Sequence, residues 1–189
     1  KNLQSFIDNL QHDTVLVLHQ MGSHGPEYFK RVPKAFEKFT PVCTSNALNE
    51  CSKEQIVNAY DNTILYTDHV LATLIDVLRN NEQKIDSGMV YIADHGESLG
   101  EYNLFLHGAP YVMAPEQQKR VGMFAWFSKG YQQSAGFDSQ CLRGERDKAL
   151  SHDNLFHSML GLLQVDTRAY NAGLDLFANC RQEATIAQQ

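Results

Sequence analysis

Two short stretches carry most of the chemistry open to this chain. One is Asp94-His95-Gly96-Glu97-Ser98, followed closely by Leu106-His107-Gly108, and the other is Ser23-His24-Gly25-Pro26. Asp94 and His95 are adjacent, so within a regular strand they would point to opposite faces. Where the strand ends and Gly96 lets the backbone turn, both side chains can reach one ion. A carboxylate oxygen paired with an imidazole nitrogen suits zinc. His24 and His107 add two further imidazoles, so one carboxylate and three imidazoles can converge at one edge of a sheet.

Each of these residues also has a plainer reading. A single histidine near a strand end is more often a hydrogen-bonding structural residue than a ligand. That reading is kept for His12, His19, His69, His152 and His157, with His19 close enough to the site for a supporting role. Asp-His-Gly alone is short, and Asp94 alone would pass as a loop cap. The combination raises the site above chance: a buried strand running into DHGES, a His107 followed by glycine, and SHGP after another apolar run.

The elements that must position these groups follow from periodicity. Lys1 to Gln11 reads as the end of a helix, with Leu3, Phe6, Ile7 and Leu10 on one face. Thr14 to His19 is continuously apolar and rich in β-branched residues, the pattern of a strand buried on both faces. The Gly-rich, Pro-closed loop after it holds His24. Ser52-Lys53-Glu54-Gln55 is a capping box that opens a long helix to about Asn80, its stripe running Ile56, Tyr60, Ile64, Thr67, Leu71, Leu74 and Leu78. Met89 to Ala93 is a second strand, ending at Asp94, and Val121 to Phe127 a third. Ser151 to Asn154 caps a helix through Leu163, and a short helix or turn pair over Thr167 to Arg181 precedes a polar tail. Strands alternating with helices predict an α/β domain with a mostly parallel sheet, and ligands in such sheets bind beyond the carboxyl ends of the strands.

Composition narrows the classes. The chain has 189 residues, 43% hydrophobic and 20% charged, which is ordinary for one domain or a large part of one. A net charge of -6 with no basic run argues against nucleic acid as a partner. The longest apolar runs are far too short to span a bilayer, and no signal peptide is visible. The first residue is Lys1, as expected of a piece of something longer. Four cysteines, Cys43, Cys51, Cys141 and Cys180, contain no CxxC pair. A bridge between Cys43 and Cys51 would close the short polar loop TSNALNE, leaving Cys141 and Cys180 as the second pair. Composition leaves four buried free thiols equally open.

Taken together, HQMGSHGPEYFKRVP, CTSNALNEC, YDNTILYTD, ADHGESLGEYNLFLHGAPY and SHDNLFHSMLGLL resemble the lipid A phosphoethanolamine transferases, a family that includes the mobilised colistin-resistance enzymes and thus implies polymyxin resistance. The resemblance covers most of the chain, from about Asp13 to Arg181. It implies an alkaline-phosphatase/sulfatase-like α/β fold and the C-terminal part of a catalytic domain that faces the periplasm from the inner membrane. Disulfides form in that compartment, which implies Cys43–Cys51 and Cys141–Cys180. The family's zinc is held by a Glu, a nucleophilic Thr, and the Asp and His of DHGES; the last two correspond to Asp94 and His95. The histidines of SHGP and LHG correspond to His24 and His107, which in the family surround the phosphoryl group, assist proton transfer and can hold a second zinc.

The Glu, the Thr and the membrane domain lie upstream of residue 1 in the family, so residues 1–189 are expected to complete a site without running the reaction alone. The implied reaction moves phosphoethanolamine from phosphatidylethanolamine to lipid A through a covalent Thr intermediate. Glu97 has two readings, a carboxylate that binds a ligand group or the ethanolamine ammonium, and a loop carboxylate in water. Two competing functions stand beside the transferase: a sulfatase-like metal-dependent hydrolase with water as acceptor, and a non-catalytic metal-binding fragment. A sheet cut partway through also implies self-association through an open edge.

Overall fold

A computed structural model describes residues 3–181. The first two residues of the expected N-terminal helix and the polar tail beyond Arg181 lie outside the described residues. The chain divides into two compact units, the first formed by residues 1–80 and 89–126 and the second by 81–88 and 127–189.

In the first unit, the short helix α1 (Leu3–Asp8) precedes a long irregular stretch, and α2 (Lys53–Asn80) is the main support. The capping box forms as expected: the Gln55 N–H donates to Ser52 Oγ at 3.2 Å and the Ser52 N–H donates to Gln55 Oε1 at 2.9 Å. The buried face of α2 differs from the expected stripe. Ile56, Ala59, Asn62, Thr63 and Leu71 are buried, whereas Ile64 is exposed. Polar residues reach the inside because their hydrogen bonds are met there. Asn62 Oδ1 accepts from the Lys38 and Phe39 N–H groups at 2.8 and 2.9 Å, and its Nδ2 donates to Phe39 O at 2.8 Å. This clamps the preceding loop onto the helix. The core groups Tyr28, Cys43, Leu48, Ile56 and Ala59, with Tyr60, Leu99 and Leu106 against them. Cys43 and Cys51 are bonded, and Leu48–Glu50 forms a 3-10 turn inside the closed loop.

Two strand pairs follow. β1 (Gly88–Ile92) ends two residues before Asp94. β2 (Ser98–Leu99) pairs antiparallel with β3 (Phe105–Leu106), with Ser98 opposite Leu106 and Leu99 opposite Phe105. A single turn of helix, α3 (Glu116–Lys119), leads to β4 (Met123–Phe127), which neighbours β1. The Ala93 N–H donates to Gly122 O at 3.1 Å, and the Tyr91 and Phe124 rings lie 5.4 Å apart, a register in which the two strands run in opposite directions. The pairs among the described residues are therefore antiparallel, and the expected parallel partners of β1 are not among them.

The segment Thr14–His19, expected as a buried strand, joins no ladder among the described residues. Val15, Leu16, Val17 and Leu18 are all exposed, Val17 to 82%. Its residue types are those of a central strand, but burial on two faces and a ladder on two edges need neighbours that residues 3–181 do not supply.

The second unit is held by an aromatic cluster and a disulfide. Ser128 caps α4 (Lys129–Ser134) by accepting from the Tyr131 N–H, and Asp138 caps α5 (Ser139–Gly144) by accepting from the Gln140 and Cys141 N–H groups. Phe127 stacks with Tyr131 at 5.3 Å and meets Phe137 and Phe177 at 4.9 and 5.5 Å. The last helix, α6 (Asp153–Leu162), buries Ser158, Gly161 and Leu162. Cys141 and Cys180 are bonded, and Arg181 pairs with the buried Asp175. Both disulfides implied by the family resemblance are thus present.

Candidate functional site

All residues of the candidate site belong to the first unit. Its three imidazoles come from three loops. His24 sits in the turn after Thr14–His19, where the His24 N–H donates to Met21 O at 3.0 Å and the Gly25–Pro26 peptide is cis. His95 follows β1. His107 follows β3, immediately after Leu106, whose φ of 63° turns the backbone out of the ladder. The rings converge: His95 and His107 have centroids 3.9 Å apart, His24 and His107 4.8 Å, and His24 and His95 5.9 Å. One ligand nitrogen from each lies within 4.8 Å of the others.

The orientation of each ring is set by what its Nδ1 meets. His24 Nδ1 lies 2.7 Å from Gly25 O, His95 Nδ1 3.1 Å from Gly96 O, and His107 Nδ1 3.1 Å from Glu97 Oε1. Carbonyl and carboxylate oxygens only accept, so in each case Nδ1 carries the proton and donates. The neutral form of each ring then keeps its lone pair on Nε2. Three rings held in one tautomer by fixed acceptors are the arrangement metal-binding histidines show.

Glu97 lies behind the rings rather than among them. It is buried, which removes its reading as a solvated loop carboxylate. Its Oε1 accepts from the Gly25 N–H at 3.1 Å and from His107, and its Oε2 accepts from Tyr28 Oη at 3.4 Å. It therefore ties the SHGP turn to the His107 loop. Burial, together with the adjacent Glu97 charge, pushes the Tyr28 phenol well above its usual range, so Tyr28 stays a neutral donor.

Asp94 is the most exposed member. Its Oδ1 accepts from the His95 N–H at 3.0 Å, and its Oδ2 lies 3.9 Å from His95 Nε2. Burial is the largest single influence and raises its carboxyl, but the His95 imidazole, backbone N–H groups and His19 together outweigh it and hold the carboxyl below the usual carboxylate value. Asp94 is thus an ionised oxygen donor beside the three nitrogens, outside the tight trio but next to it.

Sequence reasoning missed Gln118. This buried residue accepts from the Gly96 N–H through its backbone carbonyl at 3.0 Å. Its side chain donates to the buried Ser98 Oγ at 2.9 Å and accepts from the Ala109 N–H at 3.3 Å. The loops on either side of the hairpin are fixed through it, yet it lies in a short polar helix with no pattern to mark it. Tyr28 had a signal, standing four residues after His24 in the same loop. Gly96 is required sterically, because a Cβ there would collide with the Gln117 carbonyl oxygen. A second grouping of possible ligands, Cys141, Glu145 and Cys180, has its two sulfurs bonded to each other, which withdraws them.

The chain matches the family pattern described as Sulfatase over residues 1–165. It is 48% identical over 182 residues to the phosphoethanolamine transferase EptA of Salmonella typhimurium, an alignment covering 95% of this chain and 33% of the relative. The soluble domain of lipooligosaccharide phosphoethanolamine transferase A from Neisseria meningitidis superposes with a TM-score of 0.91 at 41% identity, over 95% of this chain and 54% of that one. The C-terminal periplasmic domain of phosphoethanolamine transferase EptC from Campylobacter jejuni superposes with a TM-score of 0.84 at 38% identity, over 93% and 55% respectively. The chain therefore spans about a third of the length of the curated relative and about half of each solved domain.

Proposed function

This chain belongs to the sulfatase family, with its sulfatase-like α/β fold, and on that premise we propose that it forms the C-terminal part of the periplasmic catalytic domain of a zinc-dependent phosphoethanolamine transferase. The donor is phosphatidylethanolamine and the acceptor lipid A. The relatives named for phosphoethanolamine transfer support the reaction class, and the two disulfides fit an oxidising compartment. The observation that carries the reading is the orientation of His24, His95 and His107. Each has Nδ1 committed to an oxygen, and their ligand nitrogens converge within 4.8 Å.

The donor set fits zinc, with imidazole nitrogens and the ionised Asp94 carboxylate as ligands. Asp94 and His95 would hold the ion, with the remaining ligands, including the family's nucleophilic Thr, coming from polypeptide outside residues 1–189. Bound zinc supplies charge neutralisation at a phosphoryl oxygen and lowers the pKa of a hydroxyl nucleophile. His107 and His24 act on the substrate side. Protonated at Nε2, each donates a hydrogen bond to a non-bridging phosphoryl oxygen. His107 also gives that proton to the diacylglycerol oxygen as its bond to phosphorus breaks, leaving phosphoethanolamine on the Thr. The Glu97 carboxylate at Nδ1 orients the ring. A lipid A phosphate oxygen then attacks phosphorus, the Thr–O–P bond breaks, and the departing Thr oxygen is protonated by His107, which has regained from solvent the proton the Thr hydroxyl released on attack.

The test is transfer from a fluorescent phosphatidylethanolamine to lipid A by the complete protein that contains this chain. Asp94→Ala and His95→Ala should abolish transfer and zinc binding, and His107→Ala should lower the rate by at least about a hundredfold while zinc stays bound. Unchanged transfer in Asp94→Ala would remove the proposed ligand set. Release of free phosphoethanolamine, with none on lipid A, would favour the hydrolase reading that the sulfatase family also accommodates.

A further inference from the structure

Beyond His107 the chain enters a tight turn. The Met113 and Ala114 N–H groups both donate to Pro110 O at 2.8 Å, and Ala114 is buried. On the other side, the Ala109 N–H is held by Gln118 Oε1, and Gln118 is itself bonded to the buried Ser98. Between these two anchors three consecutive side chains project outward: Tyr111 is 79% exposed, Val112 96% and Met113 74%. A pinned turn that leaves three large apolar side chains in water, with only the Lys119 cation over the Tyr111 ring, marks an interaction surface. Lys119 Nζ stands 5.3 Å from the Tyr111 ring centroid and 2.9 Å from Glu116 Oε1, and Arg120 follows it. The tip is therefore aliphatic, and its collar is an aromatic ring with charges of both signs.

That layering matches a zwitterionic phospholipid surface. Aliphatic side chains enter the acyl layer, while tyrosine and a long-stemmed cation rest among the phosphates and a carboxylate meets the ammonium groups. We propose that the Tyr111–Met113 turn inserts into the surface of a phospholipid bilayer and holds the histidine cluster at headgroup level. The inference rests on the reading of a phospholipid as donor, and adds how this chain reaches it. Tyr111 is four residues from His107, a reach of at most about 14 Å. The headgroup layer is about 5–8 Å deep, so the histidines stay within reach of the headgroups while the tip is inside.

The full chain carries no free cysteine among its described residues, so Val112→Cys accepts one environment-sensitive fluorophore. With vesicles of equal parts phosphatidylethanolamine and phosphatidylcholine, the label at residue 112 should shift to the blue and be quenched by a lipid-borne quencher. A label on Val165→Cys, exposed in the second unit, should stay water-like. The double variant Val112→Asp, Met113→Asp should bind these vesicles at least about tenfold less, with unchanged circular dichroism. A water-like label at 112 in the presence of vesicles, or wild-type binding by the aspartate variant, overturns the proposal. Insertion without phosphoethanolamine transfer by the complete protein overturns the functional reading and leaves the lipid contact standing. Transfer without insertion overturns the lipid contact alone.

Discussion

His107 donates its Nδ1 proton to Glu97 Oε1 at 3.1 Å, although the imidazole is partly open to solvent and the carboxylate is buried. Because the same oxygen also accepts from the Gly25 N–H, one carboxylate fixes two of the three loops that bring histidines together. Removing it should therefore disturb the site more than the loss of one hydrogen bond. Glu97→Ala leaves the Gly25 N–H, Tyr28 Oη and His107 Nδ1 without their acceptor, at a cost of about 2–4 kcal/mol in unfolding free energy. It should also lower transfer by the complete protein, because His107 loses the group that orients it, while zinc on Asp94 and His95 stays bound. Urea unfolding and the transfer assay of the variant check the two expectations separately. Wild-type values in both would show that Glu97 positions nothing.

Tyr28 supplies a pH test. Burial and the Glu97 charge raise its phenol in the folded protein above the ordinary value of 10.0. Below that value both folded and unfolded chains hold the proton, and the contribution to stability is fully present. Above it the unfolded chain releases the proton first, so stability falls as pH rises through the alkaline range. Each such tyrosine contributes a slope of up to about 1.4 kcal/mol per pH unit. Tyr28→Phe should make the fall between pH 10 and 11.5 shallower by up to about that amount, read from urea unfolding at a series of pH values. An unchanged slope would mean that Tyr28 ionises in the folded chain as freely as in the unfolded one.

The two disulfides should differ in worth. Cys43–Cys51 closes a separation of 8 residues and Cys141–Cys180 one of 39. Loop-closure entropy gives about 2.5 kcal/mol for the first and about 4 kcal/mol for the second. Paired Cys→Ala variants, compared by denaturant unfolding, should rank in that order. The reverse order would point to packing of the buried Cys43 outweighing chain entropy.

How far these features could be read in advance depends on whether the signal was local. The Ser52–Gln55 capping box is a contact within one turn, and it forms as the residue types predict. DHGES, SHGP and LHG announced a cluster because each is a histidine beside a glycine at the end of an apolar run. Burial depends on distant partners and was harder to read. Asn62 and Thr63 displaced Ile64 from the inner face of α2 because loop backbone groups were there to satisfy Asn62 and the Tyr60 carbonyl to accept from Thr63. Glu97 stood between a substrate-binding and a solvated loop carboxylate, and its burial beneath three donors from other loops removes the second reading. Gln118 was illegible for the same reason.

Gly96 tests the steric side of the site. Its N–H donates to Gln118 O, and the space a Cβ would need is taken by the Gln117 carbonyl oxygen. Backbone cannot yield as a side-chain tip does, so Gly96→Ala should push the DHGES turn away from Gln118 and separate His95 from His107. We expect a loss of about 1–3 kcal/mol and strongly reduced zinc binding, while Gly108→Ala, where nothing lies within contact distance of the new methyl, changes packing little. A φ of 96° at Gly108 still charges that variant a backbone penalty, of about 1–2 kcal/mol, so the comparison is decided by zinc affinity, not stability. Equal affinity in both variants would refute the steric role of Gly96.

The segment Val15–Leu18 makes the last prediction. Val17 is 82% exposed, its neighbours are also exposed, and the segment joins no ladder among the described residues. Four consecutive β-branched or aliphatic residues outside a ladder offer backbone groups and apolar side chains to a partner strand. Such an edge pairs with whatever strand it meets. The chain covers 54% and 55% of the two solved domains it superposes on, and on the reading proposed above the partner is further polypeptide of the same protein. On its own, the 189-residue chain should associate with itself in a concentration-dependent way, visible as dimers or larger species in sedimentation. Val17→Lys places a charge in the middle of the segment and should shift the population towards monomer without changing the disulfides. Adding the rest of the proposed domain as a separate polypeptide should do the same for the unmodified chain, because it competes for the same edge. A monodisperse monomer at high concentration, with no response to either change, would show that the exposed segment is inert.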